Sequence, residues 1–515
     1  MFKDTPLGEV SLRERLSSPP SQSLVNSYYA YGVAAGIKHS FEPEMRVHLA
    51  HALMLADCGI VAPGPIREIL HVLLALQEKG PTVLTIDYKS EDLYSYIERY
   101  IVETLGADVG GRLHTGRSRN DLHTTSWRMA LRARLVELLE VVGKLRQTAI
   151  ALASAHIETV MPGYTHTQHA QPITFGYYML AAAEGLGRDY RRLRAALACA
   201  DRCPLGSGAL ATTGFPIDRE ATRDMLGFGE LLEVAYEGVS SRDDIHESAA
   251  ALALLMTGIS RVATDIQLWN TMEFGFVELD DSFASVSSIM PQKKNPAAME
   301  HVKAVAAMAT GMLGTVLACS KNTSFADVND GVSAGNAPCL DTIERTALAL
   351  TVFEGAISTL KIRPDVMRRS AEIGYGTATE LADIIVRSAG VSFRMAHNVV
   401  GRVVREALEA GKTADQLTTH DIDDAAEALF GRRFAISAEE VQEALDPLEN
   451  VRSRKVTGGP APERMREMIA DRQTRLKEEL SELAAVRARI ETAYAGLDAR
   501  AKNFRIGAER PNRGL

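Results

Sequence analysis

The sequence predicts an all-α protein in which long helices form a central bundle. Apolar residues recur at helical spacing in MRVHLAHALMLADCGI, IREILHVLLALQEKG, MALRARLVELLEVVGKLRQTAIALASAHIETV and AAALALLMTGISRVATDIQLW, with few β-branched alternations. The stretch from about Leu122 to Val160 contains no proline, and further runs of the same character follow before residue 360. Gly, Pro, Asn and Thr gather in the connecting segments MPGYTHTQHAQP, DRCPLGSGALATTGFPID and KNTSFADVNDGVSAGNAPC. Helices of about 30 residues span about 45 Å, the dimension of an elongated bundle.

In chain order, residues 1–116 form an N-terminal helical domain, 117–364 the long-helix bundle, and 365–515 a small C-terminal helical domain. The last contains the Gly/Pro-rich LDPLENVRSRKVTGGPAPERMRE and ends in a basic tail, AKNFRIGAERPNRGL. The apolar faces of the long helices are too broad for one thin bundle to bury. Bundles are therefore expected to pack side by side in an oligomer. The most membrane-like run, Ala304 to Ser320, falls just short of about 18 residues and is rich in Ala, Gly and Thr, so it reads as a buried bundle helix.

Composition narrows the function. With 46% hydrophobic and 24% charged residues, the 515-residue chain is of the globular class rather than the disordered one. A formal net charge of -9 repels nucleic acid and anionic membrane, so neither is an expected partner. Cys58, Cys199, Cys203, Cys319 and Cys339 show no metal-ligand spacing and no dense framework, which favours reduced thiols and the cytoplasm. The opening MFKDTPLGEV has no basic segment followed by an apolar one, so no secretory signal is read there.

Three separated stretches hold most of the reactive polar groups. GRLHTGRSRND, Gly111 to Asp121, sets two Arg and several small donors just before a long helix, a combination suited to a carboxylate. The same residues also read as a capped helix in which Asn120 or Asp121 satisfies orphan amides. MPGYTHTQHAQP places Thr165, His166 and His169 in a loop, with no carboxylate or Cys at ligand spacing, so a metal is not expected. SVSSIMPQKKNPAAMEHVK, Ser285 to Lys303, is a Pro-bounded loop whose serines, Lys293 and Asn295 would face one anion if it folds back on itself; a solvated basic turn is the alternative.

Together these stretches identify a family. SSIMPQKKNP resembles the signature loop of the fumarase/aspartase superfamily, and GRLHTGRSRND and MPGYTHTQHAQPI closely resemble the argininosuccinate lyase subgroup. The resemblance extends through TELADIIVRSAGVSFRMAHNVVGRVVREAL and ALDPLENVRSRKVTGGPAPERMRE, covering about residues 90 to 470 and only weakly the first 40. It implies a three-domain, fumarase/aspartase-like subunit, and a homotetramer whose sites each draw on three chains. It also implies a cofactor-independent carbon–nitrogen lyase that eliminates an amine from an N-substituted aspartate to give fumarate. Loss of the β-proton creates a doubly charged aci-carboxylate, which needs preorganised cations and donors. By position in the motif Ser287 is the base, activated by Lys293 and loop amides, while Lys293 and Asn295 hold the carboxylate whose charge grows. Ser118, Arg119, Asn120, Thr165 and Ser288 would bind the dicarboxylate half, and His166, paired with Glu300, would relay a proton to the departing amine.

Two departures bear on that expectation. Val286 stands where the signature normally has Gly, which raises a question about loop conformation. A gap-free reading places Ser324, Asn329 and Val332 of SFADVNDGV where argininosuccinate lyases carry Tyr, Gln and Lys against the arginine portion, and His169 replaces a usual Arg. A site retained on the fumarate side and altered on the amine side points to a different N-substituted aspartate, with ethylenediamine-disuccinate (EDDS) first. Argininosuccinate is the alternative. An inactive homologue, as in the lens crystallins of this superfamily, is disfavoured by the presence of Ser287, His166, Lys293 and Asn295.

Overall fold

A computed structural model describes residues 15–16, 18–331 and 335–507. The opening MFKDTPLGEV, Val332 and the tail from Ala508 lie outside the described residues. The architecture is all-α, with only short two-stranded pairings between helices. The N-terminal helices are α1 (Ala30–His39), α2 (Phe41–Asp57), α3 (Pro63–Lys79) and α4 (Leu93–Leu105). Then come α5 (Arg119–Ala155), the hairpin of β1 (Val160–Thr165) and β2 (Gln168–Thr174), α6 (Phe175–Ala200) and α7 (Asp243–Trp269). The signature hairpin of β3 (Ser285–Val286) and β4 (Lys294–Asn295) leads into α8 (Ala297–Ser320) and α9 (Ala337–Ser358). After α10 (Pro364–Ile373), shorter helices carry the chain to α11 (Pro462–Arg505).

Three buried clusters organise the molecule. The largest joins α5 to α9 through residues such as Leu135, Tyr190, Leu252, Val305 and Phe353, and α11 adds Met465, Leu476 and Leu483. A second gathers α2, α3 and α4 with the start of α5, and takes Leu497 and Ala501 from the far end of α11. A third holds residues 381–445. The last helix thus leaves the segment that precedes it and runs back along the bundle. Gly143 of α5 permits that approach: a Cβ there would meet Leu480 Cδ2 at 2.6 Å.

The 37 residues of α5 give the molecule two ends about 55 Å apart. Helix α7 starts at the near end, where Arg128 pairs with Asp244 at 3.4 Å, and finishes at the far end, where Trp269 meets Phe175 with ring centroids 6.4 Å apart. Helix α8 returns, and Ser320 reaches His246 at 2.9 Å. Helices α7 and α8 are long and apolar enough to cross a membrane, and both belong to the bundle core. One flank of the bundle stays apolar and exposed, with Leu254, Leu268, Met308, Leu317 and Leu348 outside the core.

Candidate active site

At the near end the sequence builds a rigid helix start. Ser118 caps α5, its Oγ accepting from the Asn120 N–H at 3.3 Å, while its own N–H donates to Asp121 Oδ1 at 2.9 Å. Asp121 is fully buried, and its Oδ2 accepts the amides of Gly206 and Gly208, each at 2.9 Å, tying α5 to the loop after α6. Burial pushes the Asp121 carboxyl up, and the three amides pull the other way. The capped-helix reading therefore holds for Asp121 but not for Asn120, the cap residue itself being Ser118, and Arg119 and Asn120 stay partly exposed on the same turn. Asn120 Nδ2 donates to Ala209 O at 3.3 Å. Arg119 Nη1 is shared by Glu91 Oε1 at 2.6 Å and Asp92 Oδ2 at 2.8 Å. A carboxylate docking on Arg119 would have to take the remaining edge of its guanidinium.

At the far end Thr165 pairs with Gln168, and His166 and Thr167 form the two-residue turn between them at φ 53° and 58°. Positive φ at both central positions is the I′ geometry that matches strand twist, and a β-branched Thr is strained in it. Thr165 and His166 are exposed. Ring contact between Tyr164 and Phe274 at 5.9 Å braces the hairpin. His169 lies against the backbone of Gly374, where a Cβ would come within 2.3 Å of its Nδ1, and its Nε2 is 3.3 Å from Tyr164 Oη.

The signature loop is also at the far end, since Phe283 packs on Gly355 near the end of α9. Ser285 pairs with Asn295 and Val286 with Lys294. Val286 is in an extended strand with negative φ, so the residue that replaces the usual Gly needs no left-handed backbone here. Ser287 Oγ accepts the Met290 N–H at 3.0 Å and the Ile289 N–H at 3.4 Å. Two amides aimed at one hydroxyl oxygen favour negative charge on it. The adjacent lysines divide their labour: Lys294 Nζ is held by Asp281 at 2.6 Å and Glu278 at 3.3 Å, whereas Lys293 is exposed. Asn295 Nδ2 donates to Ser285 Oγ at 3.4 Å, Ser288 is exposed, and Glu300 is exposed in the first turn of α8.

One chain therefore brings Thr165, His166, Ser287, Ser288, Lys293, Asn295 and Glu300 to one end of the bundle. It leaves Ser118, Arg119 and Asn120 at the other. Among the described residues no ion pair joins His166 to Glu300. Beside Arg119 and Asn120 lies a cavity of about 120 Å³, bordered by Tyr28, Tyr31 and Trp127, by Glu44 and Asp92, and by Asp327 of the altered loop, which Arg242 holds at 3.0 Å. Glu44, Glu91 and Asp92 escaped the sequence reading, because acidic residues at helix starts look like ordinary helix-dipole partners and caps. The adjacent Glu91–Asp92 pair, two acids where one cap suffices, was the available signal.

Comparison with known proteins finds lyases. A lyase family model matches residues 37–311, and an argininosuccinate lyase C-terminal model matches 375–452. Argininosuccinate lyase of Methanosarcina acetivorans is 38% identical over 494 residues, 95% of this chain and 98% of that protein. Argininosuccinate lyase 1 of Shouchella clausii is 38% identical over 448 residues, covering 87% and 90%. The crystal structure of EDDS lyase in complex with formate superposes with a TM-score of 0.86 at 32% identity, covering 96% of this chain and 98% of that one. An EDDS lyase variant with bound fumarate gives the same values.

Proposed function

The chain belongs to the argininosuccinate lyase subgroup of the fumarase/aspartase superfamily, a fumarate-forming carbon–nitrogen lyase, and on that footing we propose that it cleaves EDDS to fumarate and ethylenediamine monosuccinate. The observation that carries the chemistry is Ser287, with its Oγ under two loop amides in the signature hairpin.

In this mechanism Ser287 Oγ, as alkoxide, takes the β-proton of the succinyl group. The electron pair moves onto the neighbouring carboxylate, which Lys293, Asn295 and Ser288 stabilise. Collapse of the aci-carboxylate expels the amine, and His166, with Glu300 behind it, supplies the proton the nitrogen needs. Arg119, Asn120, Ser118 and Thr165 hold the dicarboxylate half. Because α5 separates Asn120 from Ser287 by most of its length, these groups converge only if neighbouring chains contribute them. The exposed apolar flank of α7, α8 and α9 supplies the surface for a homotetramer.

EDDS is the first substrate because Ser324 and Asn329 stand at the amine-side positions where argininosuccinate lyases carry Tyr and Gln, and Asp327 borders the cavity beside them. Argininosuccinate is the second reading, favoured by 38% identity to argininosuccinate lyases over nearly the whole chain. Ultraviolet detection of fumarate from EDDS, argininosuccinate, adenylosuccinate, malate and aspartate decides between them. Fast release from EDDS with weak or absent release from argininosuccinate is expected; efficient argininosuccinate cleavage with none from EDDS overturns the substrate assignment.

A further inference from the structure

The partly exposed residues of the near-end turn stand on a buried cation. Arg117, next before the cap residue Ser118, is 8% exposed, and its Nη2 donates to Nδ1 of His48 at 2.9 Å. Its Nε and Nη1 have no hydrogen-bond partner among the described residues, so this one bond to an imidazole fixes the direction of the guanidinium. Asp121, Glu98 and Glu44 act on its charge from around it.

A guanidinium only donates, so His48 Nδ1 accepts, and the ring carries its proton on Nε2. A protonated ring would set two donors against each other. The surroundings keep it neutral: His48 is fully buried in α2, and burial, with Arg117 and His51 beside it, holds the imidazole well below its usual range. Tyr94 of α4 stacks on it with ring centroids 6.1 Å apart and an interplanar angle of 26°, which fixes the plane of the ring.

The residues before Arg117 are held in the same way. His51 Nε2 donates to Thr115 O at 2.9 Å, and His114 Nδ1 is 2.7 Å from Tyr94 Oη. Gly116 between them has φ 73°, and a Cβ there would meet Ile217 Cγ2 at 3.1 Å. On the other side the amides of Gly206 and Gly208 hold Asp121. The chain is thus fixed before and after Arg119 and Asn120, which leaves their side chains for a ligand. A site on three consecutive residues depends on that backbone, since a displacement of about 1 Å can cost about a hundredfold.

We propose that His48 is a positioning residue for the dicarboxylate: by accepting from Arg117 at Nδ1 it sets the turn that presents Ser118, Arg119 and Asn120. Neither His48 nor Arg117 is among the residues lining the cavity beside Arg119, so the effect on a ligand passes through the turn. The inference rests on the placement of the dicarboxylate half proposed above and adds to it the group that holds that placement from beneath.

Isothermal titration of the full-length oligomer with fumarate, with melting followed on the same samples, tests the proposal. Asn sets an acceptor oxygen where the imidazole has Nδ1, and Gln sets one where it has Nε2. His48→Leu should bind fumarate at least about tenfold more weakly than wild type, and His48→Gln should resemble it. His48→Asn should stay within about threefold of wild type. Packing alone makes the reverse prediction, because Gln fills more of the imidazole volume than Asn. Wild-type fumarate affinity in His48→Leu, or a His48→Asn protein that binds no better than His48→Gln, overturns the proposal; where His48→Leu does not fold, the amide pair decides. Arg119→Lys and Asn120→Asp, titrated beside them, read the placement of the dicarboxylate. Wild-type affinity in both would refute that placement, whereas weakening in both without the order Asn over Gln refutes the His48 assignment alone.

Discussion

In the proposed mechanism Ser287 and Lys293 have roles that can be tested one side chain at a time. Ser287→Ala removes the proposed base and leaves Arg119, Asn120, Lys293 and Asn295 in place. Turnover should fall by about 10⁴ or more while fumarate inhibition survives; an active Ser287→Ala enzyme would refute the assignment. The lysine pair gives a sharper contrast. Lys294 ties the signature hairpin to Glu278 and Asp281, so Lys294→Ala should lower hairpin stability and act on activity through it. Exposed Lys293 makes no such tie among the described residues. Lys293→Ala should abolish turnover with the melting temperature unchanged, and a melting shift equal to that of Lys294→Ala would contradict the division. At this scale the candidate residues were legible because a family motif names them. The motif names Lys293; what it did not show is that the adjacent Lys294 pairs with Glu278 and Asp281, because those partners lie more than ten residues away in the chain.

Among the elements, the start of α5 and the β1–β2 turn are held by local rules that make opposite demands. Asp121 satisfies three amides, so Asp121→Ala strands the Gly206 and Gly208 N–H groups and should cost about 3 kcal/mol in denaturant unfolding. Loss of less than about 1 kcal/mol would show that water replaces it. Thr167, by contrast, is strained at φ 58°, and Thr167→Gly should stabilise the chain by about 1 kcal/mol in the same measurement; destabilisation would show that its hydroxyl bond to His166 O outweighs the strain. Helices were legible because apolar residues recur every three to four positions, and a capped start to α5 was legible, though on Asn120 or Asp121 rather than on Ser118. The turn was not. Thr-His-Thr-Gln lacks the Asn-Gly signal of an I′ hairpin, so nothing local announced that His166 would be set at its tip. Val286 shows the converse: a missing Gly raised a backbone question that strand pairing answers.

For the whole molecule, the decisive fact is length. The sequence reading found three separated stretches of reactive polar groups and, by family resemblance, one site. The structure places Ser118, Arg119 and Asn120 at one end of a 37-residue helix and the other candidates at the opposite end. No local pattern encodes that separation; it follows from the helix running unbroken from Arg119 to Ala155. The near-end cavity was illegible for a related reason, since Glu44, Asp92 and Asn336 come from three distant segments. Composite sites also predict concentration dependence: activity should be lost on dilution together with the oligomer seen by light scattering, and an active, dilution-stable monomer would rule out shared sites. The most direct test of the account is subunit mixing. Ser287→Ala and Asn120→Asp damage opposite ends of one chain, and each alone should be nearly inert. Refolded together in equal amounts, they should regain about a quarter of wild-type fumarate release, because sites that take Asn120 from one chain and Ser287 from another are then restored at random. Absence of any recovery, with the two chains demonstrably in the same oligomer, would contradict the claim that this lyase builds its site between subunits.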